Sequence, residues 1–120
     1  MHAIARMIFS VRTPRSETVL IDVKTTAGEF GRAFHISFNE VLQIANGAER
    51  YDIYRVYDAR AGEGRLRVCS DVRSLGQPVL RILTGLPTGI SADGVSVSPE
   101  RLTFAPEIGI SIPDADEEQA

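Results

Sequence analysis

An acid and an amine stand two residues apart in the apolar run VLIDVKTT, as Asp22 and Lys24. Side chains alternate along a β-strand, so both would project from one face of an extended segment. Metal-dependent nucleases use carboxylates to hold Mg²⁺ and a lysine to orient the attacking water. Among the 13 lysine and arginine residues only position 24 is lysine. This choice favours a specific need for a compact ammonium group at that position.

The same pair also has a plain structural interpretation. An acid and a lysine on a solvent-facing strand form an ion pair worth about 0–1 kcal/mol. In the catalytic interpretation Asp22 binds the metal, Lys24 orients water, and Glu40 is the candidate second acid. Residues 37–40, SFNE, also match a capping box, in which the glutamate closes the first turn of a helix. Capping explains Glu40 without any catalytic role.

The elements that must position these residues are short and mostly extended. Residues 3–11 and 18–25 predict a β-hairpin, because both are rich in β-branched side chains and a TPRS turn separates them. The capping box predicts a helix over residues 37–46, which ends at Asn-Gly. Residues 51–58 and 65–70 predict a second hairpin.

Beyond residue 71 the pattern is weaker. Residues 78–83 fit either a helical turn or a strand, and residues 95–97 predict a strand that ends before Pro99. Residues 102–104 and 108–112 predict short extended pieces. The sum is an α+β fold with a mixed sheet and one main helix.

Length and composition predict one domain over residues 1–112 and a disordered acidic tail over residues 113–120, which lacks large apolar side chains. The four acids of the tail account for the formal charge of −3, because the 13 basic and 12 acidic residues of the domain leave it at +1. This excludes a broadly basic nucleic-acid binder. The lone Cys69 excludes an internal disulfide, and no apolar run is long enough to cross a membrane. We expect a cytoplasmic protein without a membrane partner.

Contacts with DNA would therefore have to be local. Tyr51, Tyr54 and Tyr57 with Arg55 are candidates for base stacking, and Arg65 with Arg67 would share one strand face and contact phosphates. Tyrosines in strands are more often half-buried sheet residues, which is the structural alternative.

Three segments, IDVKTT, FHISFNEV and YDIYRVYD, resemble in order and spacing the protein NO VEIN C-terminal domain family. Members typically have IEVKTT in the strand, S-x-N-E at the helix start and Y-x-L-Y-R-V in the next strand; Asp22 replaces the commoner glutamate. The family is a domain of unknown function that occurs beside helicase or ATPase modules. The resemblance implies a restriction-endonuclease-like fold, with Asp22, Lys24 and Glu40 around Mg²⁺ if the site is active.

One departure from the family pattern concerns the first metal ligand. The family usually has a Y-D-I-x-S strand before the hairpin turn, and Met7 stands where its aspartate would be. No acid precedes Glu17, and the helix expected ahead of this strand is absent. We therefore expect either a truncated copy, with its true start upstream of Met1, or a chain that has lost catalysis.

Three functions remain as expectations. The first is a degenerate restriction-endonuclease-like domain that binds nucleic acid or a partner, in a bacterial defence setting implied by the family. The second is an active Mg²⁺-dependent nuclease that uses Asp22, Lys24 and Glu40 or an acid from a partner. The third is a non-catalytic module that forms a homodimer or docks on a larger protein through exposed strand edges and bare apolar sheet surface.

Overall fold

The computed structural model describes residues 7–112. The elements, in chain order, are β1 (Met7–Arg12), β2 (Thr18–Thr25), β3 (Phe34–Ser37), α1 (Phe38–Asn46), β4 (Arg50–Arg60), β5 (Glu63–Cys69), α2 (Arg73–Thr84), β6 (Gly94–Val97), a 3-10 turn (Pro99–Arg101) and β7 (Ile108–Ser111). The predicted tail and the part of the first predicted strand before Met7 lie outside the described residues.

A five-stranded sheet in the order β1-β2-β4-β5-β7 forms the centre of the fold, and β3 and β6 form a separate antiparallel pair. Within the large sheet β2 and β4 run parallel, whereas the other neighbours are antiparallel. The parallel pair requires a crossover, which β3 and α1 supply. The predicted α+β class with a mixed sheet is confirmed.

Helix α1 begins where the capping box predicts. Ser37 Oγ accepts a hydrogen bond from the Glu40 N–H at 3.1 Å, and the Glu40 carboxylate accepts one from the Ser37 N–H at 2.8 Å. The helix ends before Gly47, whose N–H donates to the carbonyl of Gln43. Val41 and Ile44 are buried on the inner side of this helix.

The structure adds a second helix, α2, over the region that the sequence left open between helix and strand. Gly76 and Pro78 disfavour a helix in local terms. However, Gly76 lets α2 approach α1 closely, because a Cβ at this position would lie 2.5 Å from the backbone nitrogen of Ala45. Tertiary packing of the two helices therefore overrides the local preference. The sequence prediction of one main helix is incomplete, because the fold has two over residues 7–112.

Two further local differences have the same origin. The sequence pattern did not indicate β3, which has only four residues and exists because it pairs with the distant β6. Residues 102–104, predicted as extended, form no strand.

Both helices pack on one face of the large sheet, which we call the front face. The core cluster joins the front-face side chains of Tyr51, Ile53 and Cys69 to side chains from α1, α2, β3 and β6. Leu20, on the same face of β2, packs against this cluster. Over residues 7–112, no helix is both long enough and apolar enough to cross a membrane.

Candidate functional site

The three residues predicted as catalytic meet at the edge of the front face. Lys24 Nζ lies 2.9 Å from Glu40 Oε1 and 3.3 Å from Asp22 Oδ2. The side chains of Asp22 and Glu40 are only 2% and 4% exposed, and that of Lys24 is 15% exposed. β2 therefore presents both side chains to the capped end of α1, as its alternation predicts. Their catalytic roles remain predictions.

Tyr51 completes this acid–lysine–acid cluster. Its hydroxyl donates a hydrogen bond to Asp22 Oδ2 at 2.6 Å, and the residue is 1% exposed. Tyr51 lies opposite Leu20 in the parallel pairing of β2 with β4. The sequence predicted either base stacking or a half-buried sheet position for Tyr51, because nothing local indicates the register that brings it to Asp22.

Burial dominates the electrostatics of Asp22. Desolvation raises the pKa of its carboxyl above the ordinary value, and the Glu40 carboxylate acts in the same direction. The hydrogen bond from Tyr51 and the charge of Lys24 oppose this effect without cancelling it. Asp22 is therefore a carboxylate held in an environment that disfavours its charge.

This pKa shift predicts a pH dependence of stability. The folded chain keeps a proton on Asp22 at pH values where the unfolded chain, with an ordinary pKa of 3.8, has lost it. The contribution of Asp22 to stability should therefore fall as pH rises from about 4 through the raised folded value. Asp22→Asn does not titrate and still accepts a bond from Tyr51. Urea unfolding should show wild-type stability falling relative to this variant as pH rises; a constant difference would contradict the shift.

Glu40 caps α1 and also contacts Lys24, whereas its role as a second catalytic acid stays a prediction. Its Oε1 atom accepts the capping hydrogen bond from Ser37 and also contacts Lys24 Nζ. The same oxygen thus links the start of α1 to strand β2.

Two substitutions separate these roles. Glu40→Gln keeps an oxygen that can cap the helix but removes the charge facing Lys24, so we expect a loss of about 1.5–3 kcal/mol, typical of a hydrogen bond to a charged group. Glu40→Ala also removes the cap, which should cost about 1 kcal/mol more. Urea unfolding measures both, with Glu29→Gln in an exposed loop as the control. Equal losses for Gln and Ala would show that the cap contributes nothing.

The cluster does not fit a Mg²⁺ ion in this arrangement. The Lys24 ammonium lies between the two carboxylates, in the position that a cation would take. Within the described part of the chain, no group of three or more His, Cys, Asp or Glu side chains could hold a metal. The β1–β2 register also places Ile8 opposite Asp22 and Met7 opposite Val23. The strand position facing Asp22 is therefore apolar.

A small hollow of about 160 Å³ borders the cluster. It is lined by Ile8, Leu20, Asn39, Glu40, Gln43 and Tyr51. A larger hollow of about 520 Å³ lies at the β4–β5 turn and β7, and Arg65 is the only predicted site residue that lines it. The acid–lysine–acid cluster therefore borders the smaller hollow, through Glu40 and Tyr51.

The prediction that Arg55 contacts nucleic acid is not supported by its position. The residue is 2% exposed, and its guanidinium donates hydrogen bonds to the carbonyls of Lys24 at 3.1 Å and Arg32 at 2.8 Å. It also lies over the ring of Phe34, 5.3 Å from the centroid. Burial lowers the pKa of Arg55. Its visible role is to hold the backbone behind Lys24.

The other three predicted nucleic-acid contacts do not form one surface. Arg67 donates to the carbonyls of Ala105 and Phe104 and lies 4.3 Å from the ring centroid of Phe30. Arg65 is exposed but contacts Glu107 and Asp58.

Tyr54, half-buried, projects from the opposite face of the sheet, since it alternates with Ile53 and Arg55. A further tyrosine, Tyr57, donates to Glu107, and burial together with this bond raises its pKa to about 12. The polar groups of this region are thus paired mainly within the chain.

Comparison with known proteins gives one match. The family model described as protein NO VEIN, C-terminal, matches residues 8–69, which is more than half of the chain. The matched segment runs from β1 to the end of β5 and contains the whole acid–lysine–acid cluster. No curated protein and no solved structure matches the chain significantly.

Proposed function

The chain belongs to the protein NO VEIN C-terminal family, and from this membership and the site geometry we propose that it is a non-cleaving domain that acts by binding another macromolecule. The observation that carries the proposal is the position of Lys24 Nζ, within 3.3 Å of both buried carboxylates. An active nuclease site needs that space for a metal ion. Here the protein supplies its own cation.

The electrostatics of the cluster support a closed site. One Asp22 oxygen already accepts from Tyr51 and contacts Lys24, while Glu40 Oε1 accepts from Ser37 and Lys24. A divalent ion would have to displace the ammonium and would gain only two acids. Such an ion needs six or more oxygen ligands, and water would have to supply most of them. We therefore expect the acid–lysine–acid cluster to bind a divalent ion only weakly.

The charge distribution favours a protein partner over nucleic acid. Arg55 is buried, Arg67 is bonded to backbone carbonyls, and Arg65 is paired with acids. The three arginines predicted to contact nucleic acid are therefore engaged within the chain and do not form a surface for a phosphate backbone. The bacterial defence setting and the restriction-endonuclease-like ancestry, which the family resemblance implies, belong to this same proposal.

A cleavage assay tests the proposal. We expect no metal-dependent cutting of supercoiled plasmid or single-stranded DNA with Mg²⁺ or Mn²⁺, and no change of the melting temperature with either ion. Cleavage that requires the metal and disappears in Asp22→Asn, but persists in Arg60→Gln, would overturn the proposal. Circular dichroism of both variants verifies that they are folded.

An active nuclease is the second candidate, and one observation favours it. Glu40 follows Lys24 by 16 residues and Asp22 by 18, and the three side chains still meet in one cluster beside a hollow. A partner that brought a further acid to this hollow could complete a metal site. The same cleavage assay, repeated with the purified partner, distinguishes this candidate from the first.

A further inference from the structure

Strand β1 forms an open edge of the large sheet. The strand order places it at one end, and among residues 7–112 no strand pairs with its outer side. Charged side chains and proline are the usual protections of an edge strand, and the sequence of β1, MIFSVR, has neither before Arg12. The opposite edge strand, β7, has only four residues and lies between Pro106 and Pro113. A further strand would therefore pair best with β1.

The backbone of β1 presents its hydrogen-bonding groups to this edge at two defined residues. The Thr13 N–H donates to the carbonyl of Glu17 at 2.8 Å, so the β1–β2 hairpin closes on a hydrogen-bonded pair. Hydrogen-bonded and non-hydrogen-bonded pairs alternate along an antiparallel ladder. In the register of this hairpin, the pairs that Ile8 and Ser10 make with β2 are therefore non-hydrogen-bonded. The N–H and C=O groups of Ile8 and Ser10 consequently point away from β2, toward the open edge.

A strand added at this edge would direct side chains to the front face at the same two positions. Ile8 and Ser10 lie opposite Asp22 and Leu20 of β2, which project to the front face. Residues that pair across neighbouring strands project to the same face of the sheet. The residues of an added strand opposite Ile8 and Ser10 would therefore point to the side of α1, from about 4.8 Å beyond β1.

The hollow of about 160 Å³ begins at Ile8, beside these positions. Ile8, Leu20 and Tyr51 give it largely apolar walls. Among the described residues that line it, Glu40 is the only charged one, and two exposed amide side chains of α1 complete the lining. A cavity of about 150 Å³ accommodates benzene. The hollow therefore has room for one long side chain with an apolar stem.

We propose that the open edge of β1 binds an extended segment of a partner protein, and that this segment places a lysine or arginine side chain in the hollow. In this mode of recognition, main-chain hydrogen bonds to the edge strand give affinity, and a pocket for a side chain gives specificity. Only a long side chain reaches the hollow from the added strand, because Ile8 lies between them.

The charge of the site selects a cationic side chain. The acid–lysine–acid cluster contains two carboxyls and one ammonium, with Lys24 Nζ 2.9 Å from Glu40 Oε1 and 3.3 Å from Asp22 Oδ2. The cluster therefore carries one negative charge when both acids are ionised, and Glu40 brings this charge to the wall of the hollow. Lysine and arginine combine an apolar stem with a charged head, which matches apolar walls beside a carboxylate. An acidic side chain would be repelled by Glu40.

This inference rests on the proposed function, for which it specifies the chemistry of the partner, but the two are measured separately. The probes are phage-displayed random nonapeptides selected on the full chain. We expect the selected peptides to contain a lysine or arginine flanked by residues of high β-propensity. Fluorescence polarisation of a labelled selected peptide measures its affinity. Replacing its cationic residue with methionine, which keeps a long apolar stem, should weaken binding at least tenfold.

Two substitutions in the protein locate the binding site. Ser10→Pro removes an N–H that points to the open edge, where an edge strand tolerates proline, and should weaken peptide binding at least tenfold. Ser10→Ala retains the N–H and is its control. Gln43→Lys places a cation at the hollow and should weaken binding to a similar degree, whereas Gln43→Met should change it little. Circular dichroism identifies which variants are folded, and the pair at position 43 tests the proposal even if Ser10→Pro does not fold.

The proposal is overturned if no peptide is enriched, if the selected peptides bind Gln43→Lys as tightly as the wild type, or if methionine replaces their cationic residue without loss. A wild-type chain that dimerises in analytical ultracentrifugation and becomes monomeric in Ser10→Pro would assign the edge to a second copy, and would overturn it too. If no peptide binds and no DNA is cleaved, the strand proposal fails while the proposed function stands. Metal-dependent cleavage together with peptide binding gives the opposite result.

Discussion

Replacing Lys24 with methionine is expected to destabilise the protein by about 3–5 kcal/mol at neutral pH, because it leaves buried carboxylates without their compensating charge. The Asp22 and Glu40 side chains are 2% and 4% exposed, and both contact the ammonium. Methionine keeps much of the length of the side chain, so loss of charge rather than loss of volume dominates. Urea unfolding at constant ionic strength measures the change.

The loss of stability in Lys24→Met should depend on pH in a definite direction. Without the ammonium, the pKa of Asp22, already raised by burial, rises further in the folded state. The variant then holds protons that the unfolded chain releases, so its stability falls as pH rises. The difference in unfolding free energy between Lys24→Met and the wild type should therefore be smaller at acidic pH. A pH-independent loss would mean that packing, and not charge, explains it.

The same variant tests whether the Lys24 ammonium keeps a metal ion out of the cluster. If the ammonium takes the position of a cation, Mg²⁺ should raise the melting temperature of Lys24→Met and leave that of the wild type unchanged. Arg65→Met is the control, since it removes an exposed cation from the same sheet. A wild-type protein that responds to Mg²⁺ as strongly as the variant would contradict this explanation.

Replacing Arg55 with alanine is expected to cost about 3–5 kcal/mol. Truncating a buried side chain of this size leaves a cavity worth about 2–5 kcal/mol, and two hydrogen bonds to charged nitrogen are lost as well. Relief of a buried charge offsets part of this cost, because the Nε–H group has no hydrogen-bond partner among residues 7–112. The carbonyls of Lys24 and Arg32 also lose a donor.

Arg60→Ala in the same strand is the matched control, because Arg60 is exposed and its truncation should change the unfolding midpoint little. The stability of Arg55→Lys should lie between those of Arg55→Ala and Arg60→Ala, since an ammonium cannot reproduce the planar guanidinium that reaches both carbonyls. Denaturant unfolding followed by circular dichroism ranks the three variants. An Arg55→Ala protein as stable as Arg60→Ala would show that the buried guanidinium contributes nothing to the fold.

Much of the candidate site was predictable because its signals are local. The alternation of β2 places Asp22 and Lys24 on one face, and the capping box places Glu40 at the start of α1. The family resemblance, carried by three short segments, is confirmed over residues 8–69. Tyr51 and the burial of Arg55 were not predictable, because both depend on the register between β2 and a strand about 30 residues further along the chain.

The sequence by itself thus determined the fold class, the capped helix and the membership of the acid–lysine–acid cluster, because strand alternation and helix capping act over a few residues. Only the tertiary structure decided that Lys24 lies between the two acids and that α2 is a helix despite Gly76 and Pro78. These outcomes depend on how distant segments pack and share charge. Local residue preferences carry no information about such contacts.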